Sequence, residues 1–397
     1  MFQSRRVTRF VLVAIASSLL LSAHGQSNAL VISTNIVLPK DVNIRNQLID
    51  SLNGFLNLKE KKVAENPFVA SEDRLEASIW LDEIKGMEKS NRTATVAFYQ
   101  PYLLNCAPLE GTNFLVQFSY QGLRDNVCLT RASFRLRATH RDNQFYFSSP
   151  LRQNTVSWKQ ENIGRCIFHF KQTLNVPKAE EYDKLITSFD DRLKASKQVT
   201  EVFCCDDLPE VMQLIGVDYK ADYNGYGSSS FSAHVDHDTL VVNGNATGTF
   251  EKFGGDAVHD LWHSRLHNVL STTIINRPVD EGCAYLYGGS WGISWKDILK
   301  RFKEKLAANP QTDWLDLYQS LYNFGDSEDK HLIAGYVINA LLVQKIEKEQ
   351  GFAEVMGLLS CGKYEKENDN YFKALEKITG INKASFNSEV WKLVKAN

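Results

Sequence analysis

Two imidazoles stand four residues apart in His259-Asp260-Leu261-Trp262-His263, which puts both on one face of a helix and within reach of a single cation. His263 and His267 repeat the spacing, so the pair alone does not define a metal site. The next segment adds a third group: Asp280-Glu281-Gly282 brings a carboxylate, Glu281, 18 residues after His263 and at the start of another expected helix. Two histidines and one carboxylate leave a fourth tetrahedral position for water, the donor set of a catalytic zinc and not of a closed structural one. Zinc held in this way lowers the pKa of its water to about 7 and polarises a carbonyl oxygen, which is what hydrolysis of an unactivated amide requires. Asp280 can orient one of the histidines or cap its own helix.

Other clusters carry less. His234, Asp236, His237 and Asp238 are dense in metal donors, but a strand would send His237 to the opposite face from the other three, so the segment reads as a solvated strand. Residues 239–242, just before the metal helix, could form a sheet edge to which an extended peptide adds by main-chain hydrogen bonds. No Gly-rich phosphate loop and no Gly-x-Ser-x-Gly elbow occurs, which disfavours nucleotide use and serine hydrolysis. Seven cysteines, an odd number without a Cys-x-x-Cys pair, argue against a cysteine zinc site; Cys106 with Cys128 is one of several open pairings.

The chain that must position these groups has 397 residues, 43% hydrophobic and 11% aromatic, enough for one large or two medium globular domains and incompatible with disorder. Its net charge of −2, without a long basic run, leaves no electrostatic footprint for nucleic acid. Arg5, Arg6 and Arg9 precede an apolar run over residues 10–21 and small residues at Ala23 and Gly25, the layout of a secretory signal spanning residues 1–25. The run is short for a membrane anchor, and no later stretch is long enough to span a bilayer. An exported protein, periplasmic or extracellular, is therefore expected.

The mature chain reads as α+β. Asp41 can cap a helix carrying Ile44, Leu48, Leu52, Phe55 and Leu56, and a second helix carries Leu75, Ile79 and Trp80. Phe114, Val116, Phe118 and Tyr120 then alternate, as do Phe134, Leu136 and Ala138, with further short runs near Phe145 and Ile167. These elements suggest an N-terminal α+β domain over 27–175, whose element order resembles a cystatin-like or nuclear-transport-factor-2-like cone. An amphipathic helix opened by Pro177 is expected to connect it, over 176–198, to a second domain at 199–397. That domain begins with a small sheet, passes Gly254-Gly255-Asp256, and is mostly helical thereafter.

His259 to His263 with Glu281-Gly282 resembles the gluzincin clan of metallopeptidases, in particular the aminopeptidase-like branch with its His-Glu-x-x-His and later Glu-Gly. The resemblance covers about residues 199–397 and implies His259, His263 and Glu281 as zinc ligands, with a peptide or protein as substrate. Asp260 stands where that family has its general-base glutamate, one methylene shorter. A downstream helix carrying His331, Ala334, Gly335, Val337, Leu341 and Leu342 is similar to the one that supplies the family's transition-state donor; His331 occupies the donor's position and Tyr336 lies about a turn further on. The rival expectation is a zinc-retaining binding or scaffold protein that does not hydrolyse. Oligomeric state is not specified.

Overall fold

The computed structural model describes residues 29–89, 97–195, 198–227, 229–253, 258–325, 331–365 and 367–397. The expected leader and Gly254-Gly255-Asp256 lie outside the described residues. The chain divides into two compact units, the first formed by the described residues up to Pro150 with Gly216–Asn224, the second by Leu151–Ile215 with Gly225–Asn397. Among the described residues no helix is long and apolar enough to cross a membrane.

In the first unit a short strand, β1 (Val31–Ile32), precedes α1 (Val42–Asn57). Asp41 caps α1 as expected, its Oδ1 accepting from the N–H groups of Asn43 and Ile44 at 2.8 and 3.1 Å. After α2 (Arg74–Ile84) the chain turns to period-two alternation and forms β2 (Gln100–Pro108), β3 (Phe114–Arg124), β4 (Val127–Arg141) and β5 (Gln144–Ser148). Asp125-Asn126 and Asp142-Asn143 take positive φ and close the β3–β4 and β4–β5 hairpins as two-residue loops, the conformation that Asn and Asp tolerate best after glycine. The strands run β1-β2-β3-β4-β5, and α1 and α2 cover one face, with Phe55 on Phe147 and Trp80 edge-on to Phe118 and Phe134.

The second unit begins earlier than expected. After α3 (Leu151–Asn154), strands β6 (Lys159–Ile163) and β7 (Cys166–Phe170) do not join the first sheet. They pair with each other, and β7 pairs with β8 (Val199–Cys204), so the compact unit that contains them runs from Leu151 and not from 176. The helix between them, α4 (Val176–Leu193), is not a connector: Tyr182, Ile186, Phe189 and Leu193 are buried in the second unit's core, with Phe189 edge-on to Trp262. Following α5 (Leu208–Ile215), residues 216–224 return to the first unit, where β9 (Val217–Lys220) pairs with β4 and Lys220 meets the buried Glu83 at 2.9 Å. Neither pairing is a property of a local segment, and periodicity cannot assign a strand to a sheet.

The second sheet is completed by β10 (Ser230–Val235) and β11 (Asp238–Asn243), in the order β10-β11-β8-β7-β6 with β7, β8 and β11 parallel. Two further expectations change here. Asp236, at φ 55°, turns the chain so that Asp236-His237 is a hairpin loop, and the donors around it do not lie along one strand. Residues 239–242 lie inside the sheet between β10 and β8, and the edge strand is β10. The remaining chain is helical: α6 (Val258–Val269), α7 (Arg277–Gly288), α8 (Trp295–Phe302), α9 (Trp314–Gln319), α10 (Ala334–Gln350), α11 (Phe352–Leu359), α12 (Asp369–Thr379) and α13 (Phe386–Ala396). All seven cysteines are free, Cys106 and Cys128 included.

One buried group fixes α6 on the sheet. Arg265 is 1% exposed and has five N–H donors to satisfy. Nε and Nη2 grip the two oxygens of Asp190 on α4 at 2.8 and 2.7 Å, Nη2 also reaches Gln198, and Nη1 reaches the hydroxyls of Thr200 on β8 and Thr239 on β11. Removing one partner leaves the other charge buried and unpaired, which costs about 3–5 kcal/mol. Asp190→Ala is therefore expected to lower the unfolding free energy of the second unit by that amount, whereas Asp191→Ala, at an exposed neighbour, should leave it nearly unchanged; urea denaturation followed by tryptophan fluorescence checks this.

Candidate metal centre

Both motif histidines lie on α6 and Glu281 is the fifth residue of α7. His259 Nε2 and His263 Nε2 are 3.2 Å apart, and Glu281 Oε2 stands 3.6 Å from the first and 3.9 Å from the second. The far side of each ring is engaged. His259 Nδ1 donates to the carbonyl oxygen of Gly289 at 2.7 Å, and His263 Nδ1 donates to Asp280 Oδ1 at 2.8 Å. With protons on both Nδ1 atoms, two imidazole lone pairs and a carboxylate oxygen converge on one point. Such a set repels itself unless a cation or a proton sits within it, so the three residues fit a divalent ion.

Asp280 belongs to the layer behind the ligands. It is buried, accepts from Trp262 Nε1 at 3.0 Å as well as from His263, and has His267 Nε2 3.7 Å from its second oxygen. Burial alone would raise its pKa, but these partners overcome burial and lower it to about 2. For His263 burial acts downward, and the hydrogen bond to Asp280 with the charges of Asp280, Glu281 and Asp260 outweighs it, raising the imidazole above its ordinary value. The N-cap of α7 is Asn276, so orienting a ligand, and not capping, is the role open to Asp280. His263, His267 and Asp280 form a second group of potential donors, but the 2.8 Å separation of His263 Nδ1 and Asp280 Oδ1 is that of a charged hydrogen bond and leaves no room for an ion between them.

Glycine explains how three helices approach so closely. A Cβ on Gly282 would lie 2.6 Å from the Cβ of Asn339 and 2.9 Å from the backbone nitrogen of Ala340, so α7 meets α10 at the residue after Glu281. A Cβ on Gly288 would collide with the backbone of His259, where the end of α7 meets the start of α6.

The other expected site residues are distributed around this centre. Asp260 is exposed on the first turn of α6, and its charge acts on His263. Tyr336 is the third residue of α10, buried, with its ring 5.6 Å from Tyr285, itself 5.9 Å from His259. Burial first and the Glu281 charge second raise the Tyr336 hydroxyl, while the Arg277 charge acts in the opposite sense. His331 is not on the helix: it precedes α10 and is exposed. Its Nδ1 accepts from Asn323 Nδ2 at 2.9 Å, and its carbonyl oxygen accepts from Trp291 Nε1 at 3.0 Å.

Two arginines were not expected. Arg265 sits two residues after His263 among apolar neighbours, a buried-charge signal readable only with its partner 75 residues away. Arg277, whose Nε lies 3.5 Å from Glu281 Oε1, reads in sequence as a surface i,i+4 pair.

No family model, no curated protein and no solved structure matches the chain.

A pH dependence follows from the His263–Asp280 pair. A raised His263 stabilises the metal-free fold below about pH 6.5, and that contribution fades as pH rises through the raised value; at the acid end it persists until Asp280 protonates near 2. A metal ion must displace the His263 proton, so affinity should climb with pH until the raised His263 value is passed and level off beyond it, with proton release visible by calorimetry in buffers of different ionisation enthalpy. Asp280→Asn should weaken metal binding about 10–100-fold. Gly282→Ala should destabilise the second unit by about 1–3 kcal/mol in thermal or urea denaturation, since backbone and not a side-chain tip must yield.

Proposed function

We propose that this chain is an exported, zinc-dependent hydrolase of peptide bonds, of gluzincin-like type in its second unit, acting on a peptide or protein. The observation that carries the proposal is the convergence of His259 Nε2, His263 Nε2 and Glu281 Oε2 at separations of 3.2 to 3.9 Å. A tetrahedral ion with ligands at about 2.0–2.1 Å spaces them roughly 3.3–3.4 Å apart, so the set is close to that required by zinc. With three protein donors, the zinc would supply Lewis-acid polarisation of a carbonyl and acidification of a water at its remaining position.

The chain's own groups divide the rest of the work. Asp260, next to His259 and exposed, is the candidate acceptor for the proton of the attacking water and its donor to the leaving amine. Tyr336 keeps its proton at neutral pH because its hydroxyl is raised, and a neutral hydroxyl beside Glu281 can donate to an oxyanion as it develops. His331 is a second candidate donor: Asn323 gives both N–H of Gly325 and N–H of Leu332 an acceptor through Oδ1, which turns its Nδ2 to His331 Nδ1 and leaves the proton on Nε2. The β10 edge is where an extended peptide could pair by main-chain hydrogen bonds, in place of residues 239–242. The helices on a sheet in the first unit support the cone-like reading and an accessory role for it.

A second reading rests on one residue. Asp260 is one methylene shorter than glutamate, and a base displaced by about 1 Å loses around two orders of magnitude, which favours a protein that holds zinc and binds partners without cleaving them.

Elemental analysis of purified protein should find about one zinc per chain in wild type and a loss in His259→Ala; no zinc in wild type would end both readings. A mixed-peptide digest followed by mass spectrometry separates them. Cleavage by wild type but not by His259→Ala, with a fall of about 100-fold in Tyr336→Phe, is the outcome expected of the hydrolase. Silence in wild type with cleavage in Asp260→Glu identifies the binder.

A further inference from the structure

Arg277 is the first residue of α7, and its side chain is 75% exposed. Helix energetics do not account for it there. A cation at a helix N-terminus opposes the macrodipole, and the arginine-before-carboxylate order is the weaker orientation of an i,i+4 pair. Its contacts instead run to the metal centre. Nε stands 3.5 Å from Glu281 Oε1, the oxygen that does not face the imidazoles.

We propose that Arg277 is a positioning residue that holds Glu281 to one-oxygen ligation, keeping the remaining coordination position free. The two carboxylate oxygens have different surroundings: Oε2 faces His259 and His263 at 3.6 and 3.9 Å, and Oε1 faces the guanidinium. The guanidinium is the cation that holds Oε1 away from the imidazoles, so loss of Arg277 leaves that oxygen able to swing beside its twin. This inference rests on the proposed metal centre and deepens it, because an open position is what distinguishes a working site from a closed one.

Cobalt(II) replaces zinc in such sites and reports coordination number through its visible absorption. The full-length protein, stripped of metal, is titrated with cobalt(II) as wild type, Arg277→Met and Arg277→Lys, with circular dichroism confirming that each is folded. Wild type is expected to give the intense band of a low-coordinate site. Arg277→Met should give a clearly weaker band, as Oε1 joins the coordination sphere, with affinity changed about tenfold or more; Arg277→Lys should restore much of the wild-type band. Wild type that takes up no cobalt(II) or zinc overturns the metal centre itself. Wild type that binds, with Arg277→Met matching it in spectrum and within twofold in affinity, overturns the role of Arg277 and leaves the metal centre standing.

Discussion

A buried arginine with five donors tolerates very few arrangements around it, and Arg265 has found one partner for each. Its pairing with Asp190 is not a large source of net stability, since desolvation offsets most of the attraction. What it supplies is a constraint. Successive helical residues are rotated by about 100°, so a group two positions after His263 points to the far side of α6. With Arg265 held by α4, β8 and β11, the helix cannot roll without unpairing a buried charge, and His259 and His263 are thereby aimed at α7.

The second half of the centre is set by packing. Gly282 and Gly288 let the backbones of α7, α10 and α6 come closer than any side chain would allow, and that approach brings Glu281 to the imidazoles and Tyr336 to Glu281. Hydrogen bonds then choose among rotamers and tautomers. The carbonyl of Gly289 fixes His259, and Asp280 fixes His263 while accepting from Trp262, so each ring presents its Nε2 lone pair. The candidate metal centre is thus the place where a polar clamp on one face of α6 and glycine contacts at its other face meet.

What sequence made legible was local. The histidine spacing, the Asp41 cap and the alternation of Phe114 to Tyr120 depend on residues a few positions apart, and each is found as expected. Pairing over distance was not legible. Cys166, Phe168 and Phe170 alternate as well as any strand of the first sheet, and only their registry with Thr200 to Phe203 reveals that they belong to the second. The excursion of residues 216–224 to β4 has no compositional mark. His331 fell outside α10 because the backbone of the preceding segment is held by Asn323 and Tyr322, which place the start of the helix at Ala334. Arg277 was overlooked because an exposed i,i+4 partner of a glutamate is ordinarily a surface pair of little weight, and its importance comes entirely from which glutamate it faces.

One methylene separates the two functions proposed for the centre. The ligands, the carboxylate behind them, the neutral tyrosine and the exposed guanidinium are common to a zinc hydrolase and to a zinc-holding binder. Proton transfer is not, because it requires a carboxylate within hydrogen-bond reach of the water, and reach is what Asp260 has less of than glutamate. Asp260 is exposed on the first turn of α6, and its side chain is one methylene shorter than glutamate. A base short by length can be compensated only by moving α6 or by interposing a second water. The Arg265 clamp opposes the first, so the hydrolase proposed above would need a water-relayed base.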